Sequence, residues 1–105
     1  MKKHNPKFQT GILYICSKCG KGFSNSKPDL ADDLKTELRA ELKEINKNSE
    51  IRVMVGSCVS ICEKDQQTFT YHPNKGEVEI YTSQNSSTKD IKKEILNLLR
   101  EKLKI

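Results

Sequence analysis

Hydrophobic positions along the first two-thirds of the chain fall into four short stretches of strand character. Residues 11–15 (GILYI) and 51–55 (IRVMV) are apolar runs rich in β-branched side chains, which predicts two strands. Residues 67–71 and 77–82 alternate apolar with polar positions, and the HPNKG that separates them is typical of a turn. We therefore expect these last two stretches to form a hairpin.

Two longer segments repeat their apolar positions at helical spacing. The first is predicted to begin near Pro28, with Ser26 as its N-cap, and to continue to about Asn46. Its apolar stripe consists of Leu30, Leu34, Leu38, Leu42 and Ile45. The second helix follows a cap at Ser87 or Thr88, and its stripe consists of Ile91, Ile95, Leu98, Leu99 and Leu103. Charges of alternating sign separate the apolar positions of the first helix, which indicates a solvated face.

The resulting element order, β-α-β-β-β-α, predicts the fold class. A strand, a helix and a second strand favour parallel strands joined by a right-handed crossover, and the hairpin adds two more strands. The expected fold is therefore α/β and thioredoxin-like, with a mixed sheet of about four strands and helices packed on it. A chain of 105 residues suits a single domain. We place this domain at residues 11–105, after a flexible tail at residues 1–10.

The distribution of charge along the chain indicates which classes of partner the protein could bind. The net charge is +5, yet residues 1–28 contain six lysines and no acidic residue, so the whole basic excess lies in this segment. No arginine and only three aromatic residues accompany these lysines, whereas proteins that bind single-stranded nucleic acid normally stack bases on aromatic side chains. Nucleic acid is therefore disfavoured as a partner. Solvated lysines, or a docking surface for an acidic protein, account for the segment better.

Apolar runs in this sequence are too short for a membrane. None approaches the roughly 20 residues that a membrane-spanning helix needs. The apolar run before Cys16 has five residues, fewer than the core of a signal peptide contains. We therefore expect a cytoplasmic protein that does not interact with a membrane.

Four cysteines form the most distinctive pattern of the sequence. Cys16 and Cys19 are separated by two residues, Cys58 and Cys62 by three, and 38 residues lie between the pairs. Each pair follows a predicted strand, and these two strands are expected to be parallel. Because the carboxyl ends of parallel strands lie at the same edge of a sheet, the two pairs are predicted to meet there. Four thiols at one edge are what a tetrathiolate metal centre requires.

Other roles for the cysteines remain open at this point. A buried cysteine is often only a small apolar residue, and two disulfides would suit a secreted protein. Structural zinc accepts four cysteines, although the 38-residue gap is longer than zinc ribbons usually have. Thiol–disulfide exchange uses a C-x-x-C between a strand and a helix. Here about nine residues separate Cys19 from the predicted helix, so the helix dipole would activate the thiol weakly.

Two stretches carry a resemblance to a known family. They are V-M-V-G-S-C-V-S-I-C-E-K, which contains the second cysteine pair, and the later hairpin sequence Y-H-P-N-K-G-E-V-E-I-Y. Together they resemble the thioredoxin-like [2Fe–2S] ferredoxins and the related small subunit of respiratory NADH dehydrogenases. In that group a strand leads into G-x-C-x3-C, and the first strand also ends on a ligand cysteine. The tight C-x2-C of the first pair is closer to uncharacterised, predicted metal-binding relatives of this group.

The resemblance implies a cofactor and a role. The ligands of a [2Fe–2S] cluster would be Cys16, Cys19, Cys58 and Cys62. The protein would be an electron-transfer protein rather than an enzyme, because no bond of a substrate is broken. Its partner would be a redox protein with an acidic docking surface that faces the lysines near Cys16, and a homodimer is left open. His4 in the tail and His72 in the hairpin turn are expected to be solvated and not to bind metal.

Overall fold

The computed structural model describes most of the chain in five stretches, residues 1–5, 7–17, 30–56, 66–84 and 88–105. Two of the expected helix caps, Ser26 and Ser87, and the helix start at Pro28 lie outside the described residues. So do Lys18 and Lys21, on which the expected docking surface depends.

Four strands form one mixed sheet in the order β2-β1-β3-β4. The strands are β1 (Gly11–Cys16), β2 (Ile51–Gly56), β3 (Gln67–Pro73) and β4 (Glu79–Ser83). β1 is parallel to β2 and antiparallel to β3, and β4 forms an antiparallel hairpin with β3. The predicted α/β class, the parallel first pair and the hairpin are therefore confirmed.

Two helices pack on the same face of this sheet and contact each other. They are α1 (Leu30–Glu44) and α2 (Thr88–Leu103). The core between the sheet and the helices contains Leu13 and Ile15 from β1, which share a face because alternate strand residues point the same way. The resulting two-layer arrangement matches the thioredoxin-like plan expected from the element order.

The apolar stripes of both helices enter this core, with one exception. The α1 leucines at positions 30, 34, 38 and 42 are buried, and so are the α2 residues Ile91, Ile95 and Leu99. Leu98 and Leu103 are partly buried against the same core. Ile45 was expected in the α1 stripe, but this was wrong, since α1 ends at Glu44 and Ile45 is 37% exposed. Asn46 has a φ of 58°, a left-handed conformation that is typical of the residue after a helix.

The turn between β3 and β4 was predicted to begin at His72, which is two residues too early. His72 and Pro73 belong to β3, where they pair with Ile12 and Gly11 of β1. Pro73 is the last residue of β3. Proline has no N–H to donate, and at the end of a strand this interrupts no further hydrogen bonds of the sheet. The reversal that follows contains Gly76 with a φ of 122°, which L-residues rarely adopt.

Residues 8–10, within the predicted tail, make contacts with the folded part of the chain. The Thr10 N–H donates to the Glu50 carbonyl at 2.8 Å, and the Thr10 hydroxyl donates to the Glu50 carboxylate at 2.9 Å. The Asn74 side chain donates to the Phe8 carbonyl. This segment therefore lies against the turn that precedes β2 and the reversal that follows β3 before it enters β1. Flexibility of the tail as a whole stays a prediction.

Neither of the two helices within the described ranges combines the length and the apolar character needed to cross a membrane.

A polar cluster ties β4 to the end of α2. The Tyr81 hydroxyl donates to the Glu79 carboxylate, whose other oxygen accepts from Lys102 Nζ at 2.7 Å. The hydrogen bond from Lys102, with that from Tyr81, lowers the pKa of Glu79. The hydrogen bond to Glu79, with burial, raises the pKa of Tyr81 to about 12.

Alkaline titration should therefore show one late tyrosine in this cluster. Because the folded pKa of Tyr81 is raised above its ordinary value of about 10, its hydrogen bond stabilises the fold fully below pH 10. That contribution is lost as the pH rises towards 12. We expect phenolate absorbance near 295 nm to contain a step near pH 12 that Tyr81→Phe removes and Glu79→Gln moves to lower pH. A Glu79→Gln protein with an unchanged step would contradict this account.

Candidate metal centre

Cys16 is the last residue of β1 and lies beside the end of the parallel strand β2. In the register of these two strands Cys16 pairs with Gly56, which is itself the last residue of β2. The Ser17 N–H extends this ladder by donating to the Gly56 carbonyl at 3.0 Å. Both strands therefore end at the same edge of the sheet, as the sequence predicted.

Only one of the four predicted ligands lies within the described part of the chain. Cys19, Cys58 and Cys62 lie outside it. In the sequence Cys58 follows Gly56 by two residues, and Cys16 itself ends β1. The neighbouring ends of these two strands are therefore the points from which the chain leads into both predicted pairs.

Burial of Cys16 suits a ligand of a water-sensitive centre. Its exposed fraction is 4%, although it ends its strand. Leu13 and Ile15 face the helices, so alternation directs the Cys16 side chain to the opposite face of the sheet. An iron–sulfur cluster needs thiolates in a place that limits the access of water. The position of Cys16 meets this requirement.

Gln67 fixes the main chain at Cys16. This side chain is fully buried at the start of β3, and its Nε2 donates to the Cys16 carbonyl at 2.9 Å and to the Thr68 carbonyl at 3.0 Å. Both partners are acceptors, so only the NH₂ group of the amide can face them, and the orientation of the amide is determined. Gln67 therefore holds the end of β1 in place against β3.

The sequence analysis did not identify Gln67. The signal that could have found it is the alternation of β3, in which Gln67 shares a face with Phe69 and Tyr71. These two aromatic side chains are buried, so a polar residue at the next position of that face needs a hydrogen-bonding role. Its Oε1 atom is buried and has no hydrogen-bond partner among the described residues.

His72 lies away from the cysteine edge. His72 pairs with Ile12, four residues before Cys16, which corresponds to about 13 Å along the strand. Its Nε2 is 3.0 Å from the Thr70 hydroxyl, and its ring contacts the Tyr14 ring edge-on at 4.9 Å. His72 is therefore half-buried in β3, and not in a turn as expected. His4 is exposed.

Within the described ranges, no cluster of three or more histidine, cysteine, aspartate or glutamate side chains is placed to hold a metal ion. Three of the four predicted ligands lie outside those ranges, so the predicted ligand set is represented there by Cys16 alone.

Comparison with known proteins gives no family for this chain: no family model, no curated protein and no solved structure matches it.

Proposed function

We propose that this protein is an electron carrier that holds a [2Fe–2S] cluster through Cys16, Cys19, Cys58 and Cys62. The observation that supports this most directly is the pairing of Cys16 with Gly56 at the shared end of two parallel strands. In the sequence, β1 ends on the first cysteine of one pair and the other pair begins two residues after β2, as a site at this edge of the sheet would require. The chain offers no other sulfur ligands except two methionines.

The residues of the chain have separate tasks in this proposal. A bound [2Fe–2S] cluster accepts and releases single electrons, and the four thiolates hold it. The burial of Cys16 keeps water from its sulfur, and Gln67 keeps the end of β1 from shifting when the charge of the site changes. No substrate bond is broken, so the protein would not be an enzyme. Reduced thiols would suit the cytoplasm.

Thiol–disulfide exchange receives less support from the described residues. In that chemistry an attacking thiolate must reach the disulfide of another molecule. Cys16 is almost completely buried. Zinc bound by the same four cysteines is the alternative that the experiment must separate.

The test is the absorption spectrum and metal content of protein purified without oxygen. We expect a brown protein with bands at roughly 400–500 nm that bleach with dithionite, and about two irons and two sulfides per chain. A colourless protein that holds one zinc, and that takes up no cluster from iron and sulfide, would overturn the proposal in favour of a zinc module. A protein without metal, in which Cys16 and Cys19 form a reversible disulfide, would overturn it in favour of thiol exchange.

A further inference from the structure

A small basic cavity lies between α1 and the edge strand β2. Its volume is about 200 Å³, and we call it the α1–β2 cavity. Three of its lining residues are cationic, Arg39 and Lys43 from α1 and Arg52 from β2, and Asn48 also belongs to the lining. None of the described residues that line it carries a carboxylate. Arg39 and Lys43 are four residues apart, so they lie on the same face of the helix.

Both guanidinium groups are held in place by a contact on one side. Arg39 Nε donates to the Val53 carbonyl at 2.8 Å, which leaves the N–H groups of its two terminal nitrogens for another acceptor. The Arg52 guanidinium carbon lies 5.6 Å from the centre of the Phe8 ring, a cation–π contact that occupies a face of the group and not its N–H edge. Each guanidinium group therefore has one fixed contact and further N–H groups that can donate to an anion at the cavity.

Among the described residues, no carboxylate forms an ion pair with the positive charges of this cavity. Burial, and secondarily the charge of Arg52, lowers the pKa of Arg39. Two nearby carboxylates of α1, Glu37 and Glu41, pair instead with Lys92 of α2. Among the ion pairs between described residues, none includes Arg39, Lys43 or Arg52. An anion in the cavity would relieve the repulsion between the two arginines.

We propose that the α1–β2 cavity binds a phosphate-type oxyanion. Guanidinium groups recognise such oxygens through two parallel N–H donors, and an ammonium group such as that of Lys43 adds a point charge. The lining also includes Leu42 and Ile51, whose side chains are almost completely buried in the core. The lining residue nearest the cysteine edge, Val53, is three residues from the Gly56 end of β2, about 10 Å along the strand, so this site is separate from that edge.

The test is a titration of ¹⁵N-labelled protein with inorganic phosphate at constant ionic strength. We expect saturable amide shifts at Asn48, Arg52 and Val53. Arg52→Gln should weaken the binding about tenfold, because it removes a charge-assisted pair of donors. Arg100→Gln is the matched control, since it makes the same change on an exposed position of α2. It should leave the affinity unchanged.

Two results would overturn this proposal. One is an equal loss of affinity in both variants, which would mean that phosphate responds only to net charge. The other is an unchanged affinity in Arg52→Gln, with its fold verified by circular dichroism. A second titration with phenyl phosphate separates the sources of the anion. Tighter binding than that of inorganic phosphate indicates a phosphate ester, whereas equal binding indicates the inorganic ion.

Discussion

Alanine in place of Cys16 is expected to give a folded protein that no longer binds the proposed [2Fe–2S] cluster. The variant removes one of four thiolates, and the remaining three would leave one iron incompletely ligated. We expect iron content and absorbance at 400–500 nm to fall at least tenfold. The apo protein should lose only roughly 1 kcal/mol of unfolding free energy, because the deleted sulfur is no larger than a buried methylene group or two. Iron analysis and chemical unfolding measure the two effects.

The neighbouring residue supplies the control for this variant. Ser17 is exposed, and its main-chain N–H, not its side chain, continues the ladder to Gly56. Ser17→Ala should therefore retain the cluster. Wild-type iron content in Cys16→Ala would show that Cys16 is only a packing residue, and it would remove this position from the ligand set.

Glutamate in place of Gln67 is expected to destabilise the protein by roughly 3 kcal/mol or more at neutral pH. The change keeps the shape of the side chain but replaces an NH₂ donor with an oxygen that faces the carbonyls of Cys16 and Thr68. Burial would raise the pKa of the new carboxyl above that of the unfolded chain. The destabilisation should therefore be smallest below about pH 4 and grow as the pH rises. Chemical unfolding of the apo protein across this pH range measures it.

Gln66→Glu makes the same change one residue earlier, at a position that is only half-buried. It should cost far less, with little dependence on pH. Equal stability of the two variants would mean that the described hydrogen bonds of Gln67 do not hold the end of β1.

The parts of the fold that the sequence predicted well are those set by repeated local patterns. Leu34 and Leu38 are fully buried because a spacing of four residues can only place them on one helix face, whatever packs against it. The parallel pairing of β1 with β2 followed in the same way from a strand, a helix and a strand in succession. Cys16 and Gly56 reach the same edge as a direct result of that pairing.

The ends of helices and strands were harder to predict, because signals that continue an element and signals that end it compete there. Ile45 continues the helical spacing of the leucines, but Asn46 takes a left-handed conformation that ends the helix before it. His72 and Pro73 looked like part of a turn from their composition. In the structure their pairing with β1 extends the strand, and such long-range pairing leaves no local mark in the sequence.

Side-chain contacts between distant segments could not be predicted. Arg39 and Lys43 looked like ordinary solvated charges of an amphipathic helix. They form a cavity only because α1 crosses β2 at the point where Arg52 lies. The hydrogen bond from Gln67 to the Cys16 carbonyl similarly spans 51 positions of the chain.

The position of β1 beside β2 also determines when a metal could bind during folding. The first cysteine pair is followed by 38 residues, including all of α1 and β2, before the second pair. Bringing the ends of such a segment together costs roughly 3 kcal/mol of chain entropy, which the packing of α1 on the two strands must offset. In the proposed site the four thiols would come together only after this slow, non-local step, so cluster insertion would follow folding and would not nucleate it. Once bound, the cluster would close the same loop covalently and slow the unfolding of the β1–α1–β2 unit.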